Sequence, residues 1–256
     1  MADGEEEGAP AAAPAPQFNP VCDASIFKQA ASGDRAGVER LLAAAPDSIS
    51  STNRVGATPL ILAARDGHTE MIELLIAKGA DPNQPGHGGL TALHHAVNCN
   101  HDTAFAALLD NGADVNQRDD RGMGAIHYAC ARGVLGTIIE LKERGADMGM
   151  VSQTKTTPLM RLVQNRHAAS LPRLIAFGCD VKPADDDGNT ALHMACRSLD
   201  LGMVEALLNG GADIGAKNKL NKTPAESVVC ATPATKAVQT SIETLFARGL
   251  PTEPQA

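Results

Sequence analysis

Aromatic residues are scarce in this sequence. Its 256 residues include no Trp, one Tyr and five Phe. Aromatic rings supply much of the apolar area of a large globular core. This composition therefore argues against one compact core, and it favours short stacked helices packed through Leu, Ile, Val and Ala.

Two further absences limit the class of protein. No apolar run approaches the length of a membrane span, and no secretory signal is present at the N-terminus. We therefore predict a soluble protein that does not bind membranes and is cytoplasmic, with nuclear entry left open. The 30 acidic residues outnumber the 22 Lys and Arg, giving a net charge of −8. Because nucleic-acid binding needs a basic face, we expect no nucleic-acid partner.

What the sequence does contain is a block that recurs at a constant interval of about 33 residues. The blocks open at Ser25, Thr58, Thr91, Gly124, Thr157, Thr190 and Thr223. The best-preserved openings read T-P-L at residues 58–60 and 157–159, and T-A-L-H at 91–94 and 190–193. This period and this opening are typical of ankyrin repeats. The chain resembles an ankyrin-repeat array of seven repeats over residues 21–251.

The resemblance implies an all-α repeat solenoid of helix-turn-helix units with β-hairpin fingers. Local sequence agrees with it. Thr58 and Pro59 are a favourable N-cap and first helical residue, and Gly67 suits the left-handed turn that ends the helix. Apolar residues at offsets 2, 5 and 6 from each opening predict the buried face of the first helix, and those at offsets 14, 17 and 18 the buried face of the second.

The ends of the array depart from the repeat. The first block is one residue shorter before its second helix. In the last block the second-helix pattern of Ile242, Leu245 and Phe246 arrives five residues late, which predicts an insertion at 232–235. Residues 1–20 are rich in Ala, Pro and acidic residues and predict a disordered tail. Residues 252–256 form a short C-terminal tail.

Blocks four to six contain local irregularities. Arg166 and Leu199 stand where a helix-ending glycine is expected, and Pro172 lies early in a second helix. We therefore expect distortion in blocks five and six. Gly124 replaces the threonine cap in block four, which we expect to weaken that junction by about 1 kcal/mol.

Candidate chemical groups are few. The ankyrin resemblance implies that His94, His127 and His193 form a structural hydrogen-bond network between repeats. His95 and His101 flank Cys99, but their spacing is not that of helical metal ligands. Residues 185–188 read D-D-D-G, and counting back from the glycine places a proline at the first ligand position of a calcium loop. We predict no metal, no cofactor and no enzymatic activity.

The six cysteines include no C-x-x-C pair, which argues against a zinc knuckle. Cys130 and Cys196 hold the same position two blocks apart. Since neighbouring helices pack about 8–10 Å apart, these cysteines are too far apart for a disulfide. We expect both to be small buried side chains.

Offsets 4, 7 and 8 of the first helices lie opposite the buried face. In ankyrin arrays this surface lines the concave groove. Tyr and Arg are frequent hot-spot residues, so we predict a partner protein with an acidic or mixed-charge segment, anchored by Tyr128. Alternatively, the arginines only solvate the face. The candidate partner-binding residues are Arg65, His95, Tyr128, Arg132, Arg161, Met194 and Arg197.

The function predicted is that of a non-enzymatic protein-interaction module, an adaptor, inhibitor or assembly chaperone, monomeric when free. Its architecture is similar to that of stand-alone ankyrin proteins of the gankyrin type. A permanent subunit of a larger assembly is the alternative, and an enzyme is a remote one.

Overall fold

The computed structural model describes residues 23–228 and 233–247. The predicted tails at 1–20 and 252–256 lie outside these residues, and the predicted insertion at 232–235 lies partly outside them. Within these residues, six helix pairs follow one another, and a further helix, α13 (Pro233–Ala247), comes after them.

The helices are short and regularly spaced. The first helices of the pairs are α1 (Asp23–Ser32), α3 (Pro59–Asp66), α5 (Ala92–Cys99), α7 (Ala125–Arg132), α9 (Pro158–Gln164) and α11 (Ala191–Ser198). The second helices are α2 (Arg35–Ala44), α4 (Thr69–Ala77), α6 (Asp102–Asp110), α8 (Leu135–Glu143), α10 (Leu171–Ala176) and α12 (Leu201–Asn209). Short 3-10 turns lie at Pro46–Ser50, His87–Gly89, Ala168–Ser170 and Ala225–Ser227.

The predicted helix boundaries are confirmed where the opening is T-P-L. The Thr58 hydroxyl accepts a hydrogen bond from the Ile61 N–H at 3.1 Å, and the Thr157 hydroxyl accepts one from the Met160 N–H at 3.2 Å. Gly67 ends α3 in the left-handed conformation, with φ of 79°. These caps satisfy backbone groups that a helix of only two turns would otherwise leave unpaired.

The core runs through the whole array as one cluster of buried side chains, from Ile26 to Ile242. The residues at offsets 2, 5 and 6 of blocks two to six are all buried, as predicted. First helices pack against first helices in an unbroken row from α1 to α11. Cys130 and Cys196 are free and fully buried in this core, also as predicted.

The fingers between the units are tight turns. In each, the first N–H donates to the carbonyl of the fifth residue, at 53–57, 86–90, 119–123, 152–156, 185–189 and 218–222. Backbone hydrogen bonds also join neighbouring fingers, such as Gln153 N–H to Arg121 O at 2.8 Å. Within the described ranges, the only β-type pairing is an isolated antiparallel bridge between Ala184 and Thr190. The hairpins are too short for a longer ladder.

Two sets of histidines connect adjacent units. In the first, the Nδ1 of His94, His127 and His193 accepts from the backbone N–H of its own block opening at 3.2 Å. Nε2 therefore carries the proton, and it donates to a carbonyl of the next finger, at 3.2, 3.1 and 3.0 Å respectively. The role that the resemblance implied for these residues is thus confirmed.

The second set was not anticipated. His68, His101 and His167 hold the same position in their respective blocks, just before the second helical segment. Their Nε2 atoms form hydrogen bonds with carbonyl oxygens in the first helix of the previous block, at 2.9, 3.0 and 2.8 Å. Six of the eight histidines therefore join neighbouring units.

Block seven and block five each depart from the regular helix pair, and each departure has a physical cause. Block seven has a 3-10 turn at Ala225–Ser227 where a first helix was expected, so that expectation is wrong there. Val228 then turns extended, and β-branched residues favour helices weakly. In block five, the turn Ala168–Ser170 replaces the first turn of a second helix of only six residues, as Pro172 suggested.

Block six is less distorted than predicted, since both its helices have regular lengths and Leu199 itself adopts the left-handed conformation that ends the first helix, with φ of 58°. In block four, the Gly124 N–H still donates to His127, and a Cβ on Gly124 would lie 2.7 Å from the Met150 sulfur. The weakening of that junction remains a prediction.

The left-handed residue Arg166 gives a stability test, because its φ is 60°. Replacing Arg166 by Gly should leave the protein more stable than replacing it by Ala, by about 1 kcal/mol, since both variants lose the same side chain and only Gly tolerates this backbone freely. Urea unfolding of the two variants measures the difference. Equal stability would contradict the assigned conformation.

The buried histidines give a pH test. Burial lowers the pKa of His127 from 6.5 to about 4. As the pH falls, His127 is therefore protonated in the unfolded chain before it is protonated in the folded protein. The stabilisation that neutral His127 contributes is fully present above pH 6.5 and is lost as the pH falls toward about 4. We expect His127→Gln to be clearly less stable than the wild type at about pH 7.5, and the gap to shrink at about pH 5. A gap that stays constant in urea unfolding at both pH values would disprove this.

Candidate functional site

The predicted site residues lie on one surface, the first-helix face, which we define as Arg65, His95, Tyr128, Arg132, Arg161, Met194 and Arg197. Arg65, Arg132 and Arg197 are exposed, and His95, Tyr128 and Arg161 are half-buried. Met194 is only 5% exposed, because it packs in the core of block six. Its exposed surface is small, so packing is its main role, although it also forms part of the wall of a cavity described below.

Arg65 is neutralised locally. Its Nε and Nη2 both donate to the Asp66 carboxylate at 3.0 Å. This hydrogen bond is the main reason why the pKa of Asp66 is lowered. Because both side chains are partly exposed, the pair contributes little to stability. It also leaves Arg65 the least available of the exposed arginines on this face.

Tyr128 is held from within the molecule. Its hydroxyl donates to Asp119 Oδ2 at 2.6 Å and accepts from Arg121 Nη2 at 2.6 Å. The ring meets His94 edge-on, with centroids 5.6 Å apart. Burial, followed by the Asp119 hydrogen bond, raises the pKa of Tyr128 to about 12. The side chain is a rigid, half-buried platform whose polar end is already satisfied.

Asp119 is the centre of this network. Its Oδ1 accepts from the Arg121 N–H at 2.9 Å and the Met123 N–H at 2.8 Å, closing its own finger turn. Asn53, Asp185 and Asn218 cap their fingers in the same way. Asp185 therefore serves as a turn cap, which agrees with the rejection of a calcium loop at residues 185–188.

The finger at 152–156 is different. Ser152 occupies the capping position, and its Oγ accepts from the Thr156 N–H at 3.1 Å. The Thr154 hydroxyl lies 3.0 Å from both the Ser152 and the Thr156 hydroxyls. A chain of three hydroxyl groups thus replaces a carboxylate or an amide at this point.

Two arginine-lined cavities open beside the first helices of blocks four to six. The first, of about 210 Å³, is lined by Arg121, Met123, Ser152, Gln153, Thr154, Thr156 and Arg161. The second, of about 250 Å³, is lined by Val163, Gln164, Arg166, Met194, Arg197 and Ser198. Each holds two arginines, and no acidic residue of the described chain lines either of them. Both are therefore suited to negatively charged groups.

The described residues offer neither a metal site nor a membrane-spanning helix. Among the described residues, no cluster of three His, Cys, Asp or Glu side chains could hold a metal ion. His95 is half-buried, and burial is the main cause of its lowered pKa. None of the described helices has both the length and the hydropathy needed to cross a membrane.

Comparison with protein families agrees with the geometry. A model of ankyrin repeats in three copies matches residues 26–119 and 126–218, and a second ankyrin-repeat model matches residues 98–141. The chain belongs to the ankyrin-repeat family. Members of this family are known as protein-interaction modules rather than enzymes.

Individual relatives show the same architecture. The mouse B-cell lymphoma 3 protein homolog is 33% identical over 177 residues, which cover 67% of this chain and 40% of that protein. The crystal structure of the ankyrin repeat domain of Bcl-3, described as a unique member of the IkappaB protein family, superimposes with a TM-score of 0.73 at 28% identity, covering 86% of this chain and 97% of the domain. The human ASB11 ankyrin repeat domain gives 0.74 at 20% identity, covering 90% and 99%.

Sequence reasoning missed Arg121 and Arg166 as cavity residues. Arg121 lies on a finger tip and Arg166 in the turn after a first helix, outside offsets 4, 7 and 8. The pairing of Arg161 with Ser152 could have been found from the sequence, because these residues stand one repeat after Tyr128 and Asp119 respectively.

The single tyrosine makes the Asp119 network directly measurable. We expect Tyr128 in the folded protein to titrate with a pKa near 12, above its ordinary value of 10. Asp119→Asn should lower this pKa, because the buried negative charge beside the phenol is removed. Near-ultraviolet absorbance of tyrosinate, with folding checked by circular dichroism, follows the titration. A folded protein that titrates at its ordinary value in both forms would refute the network.

Proposed function

We propose that this protein is a non-enzymatic adaptor, inhibitor or assembly chaperone that binds an acidic or mixed-charge segment of another protein across the first-helix face. The observation that carries the proposal is the pair of arginine-lined cavities without carboxylates at blocks four to six. The alternative, that the arginines only solvate the face, does not explain why they line concave sites.

The partner proposed is a polypeptide. An extended acidic segment can place successive side chains beside Arg161 and Arg197, which lie in neighbouring units. Tyr128 adds a rigid ring, and aromatic and arginine side chains often dominate binding energy. The protein's own net charge of −8 would repel acidic segments elsewhere on its surface, which favours this site over others.

We further propose that the free protein is a monomer and works in the cytoplasm, with access to the nucleus. The IkappaB membership of Bcl-3 is consistent with an inhibitor-like role but belongs to that relative. A permanent subunit of a larger assembly remains the second candidate, and it is favoured by the length of the continuous stack. Size-exclusion chromatography with light scattering distinguishes the two, because a permanent subunit should aggregate or remain complexed at fixed stoichiometry.

Charge reversal tests the proposed face. Arg132→Glu combined with Arg197→Glu should lower the affinity for the partner, captured from an extract of the protein's own cells, by at least about tenfold. Both residues are exposed, so the fold should be unaffected. The matched control reverses Arg40 and Arg173, which are exposed on α2 and α10 and give the same change in net charge.

Affinity is measured by titrating the captured partner against each folded variant. Equal losses in both variants would show a general charge effect, and an unchanged affinity in the Arg132 and Arg197 variant would refute the proposed face. Binding that increases with salt would also contradict it, because screening weakens attraction between opposite charges.

A further inference from the structure

The cavity between the fingers of blocks four and five has a serine at the position where block four has the carboxylate of Asp119. In block four, Tyr128 reaches the Asp119 carboxylate at 2.6 Å. One repeat later the same two positions hold Arg161 and Ser152, and both line the same cavity. A cation has therefore replaced the phenol while its anionic counterpart has become a neutral hydroxyl.

Arg161 is incompletely satisfied as a result. Its Nε is buried and has no hydrogen-bond partner among the described residues. Its side-chain hydrogen bond to Gln164 is a long one, 3.4 Å from Nη1 to Oε1. Within the part of the chain that the structure describes, none of the ion pairs includes Arg161. Buried donors are normally paired, so the Arg161 guanidinium, which lines the cavity, has hydrogen-bonding capacity that the described residues leave unused.

The hydroxyl chain can supply a further donor. Ser152, Thr154 and Thr156 carry one hydroxyl proton each, and their two mutual contacts use two of the three. The third proton is free to point at a ligand. The cavity of about 210 Å³ is several times the space of about 30 Å³ that a water molecule occupies in the liquid.

The charge balance favours an anion. Arg121 is already paired with Asp119, at 3.5 Å from Nε to Oδ2, so its charge is largely offset. The charge of Arg161 is not. The carboxylates of the flanking fingers are engaged elsewhere, since Asp186 pairs with Lys155 at 3.5 Å and Asp185 caps its own turn.

We propose that this cavity is a receptor for one carboxylate, the side chain of an aspartate or glutamate of the bound polypeptide, held by the Arg161 guanidinium and the Ser152–Thr156 hydroxyls. The inference deepens the proposed function and rests on it for the identity of the partner. The carboxylate takes the place that Asp119 fills within block four.

Restoring the missing group in the chain tests this without a partner. Ser152→Asp should place a carboxylate beside Arg161 and raise the melting temperature above that of Ser152→Asn, which keeps a side-chain cap for the turn but adds no charge. The gap should vanish in an Arg161→Gln background. If the gap is absent, or if it persists without Arg161, the assignment is wrong.

Nuclear magnetic resonance of the arginine side chains provides the direct measurement. Acetate, titrated at constant ionic strength, should shift the Arg161 Nε–H resonance saturably. The Arg161→Gln variant identifies that resonance. In Ser152→Asp the resonance should already be shifted and should no longer respond. An unresponsive wild type, or an equal response in Ser152→Asp, would overturn the proposal.

Inorganic phosphate serves as the second probe. A response to phosphate but none to acetate would overturn the carboxylate assignment, whereas a response to acetate supports it. Failure of either probe leaves the Arg132 and Arg197 result unaffected, because that experiment leaves Arg161 and Ser152 intact. The two proposals can therefore fail separately.

Discussion

The hydrogen bond from a histidine Nε2–H to a carbonyl of the neighbouring unit is the interaction on which the rest of the structure depends. Neither short helix of a unit could bury its apolar face alone, so stability comes from stacking. The histidines of the helix openings bond forward and those of the second half of the block bond backward. Together they join five of the six pairs of neighbouring blocks, all except blocks five and six, and they help to hold successive units at a common offset.

That constant offset turns sequence differences between repeats into surface chemistry. Positions that superimpose from unit to unit carry His95, Tyr128, Arg161 and Met194 in turn, and the finger positions facing them change as well. Where tyrosine meets aspartate, the network closes within the molecule. Where arginine meets serine, a buried donor is left without a partner among the described residues. The candidate site arises from this mismatch, and no separate catalytic or cofactor-binding insertion is needed to form it.

Much of the fold could be predicted from the sequence, because period, caps and apolar offsets all reflect local physics that repeats. The exceptions are instructive. Met194 shares its offset with Tyr128, but an apolar side chain at that offset packs inward whereas a polar one stays half-exposed. The first helix of the last block was predicted wrongly because the repeat pattern was extended through Val228, a β-branched residue that is extended in the structure. The cavities were missed because they combine residues of two units, which a reading along one helix does not bring together.

Hydrogen–deuterium exchange with and without the captured partner tests the proposed binding face most directly. We predict that binding protects the fingers and first helices of blocks four to six, at residues 119–132, 152–166 and 185–199. Protection confined to the second helices, for example at α10 and α12, would place the partner on the opposite side of the stack and contradict the proposal.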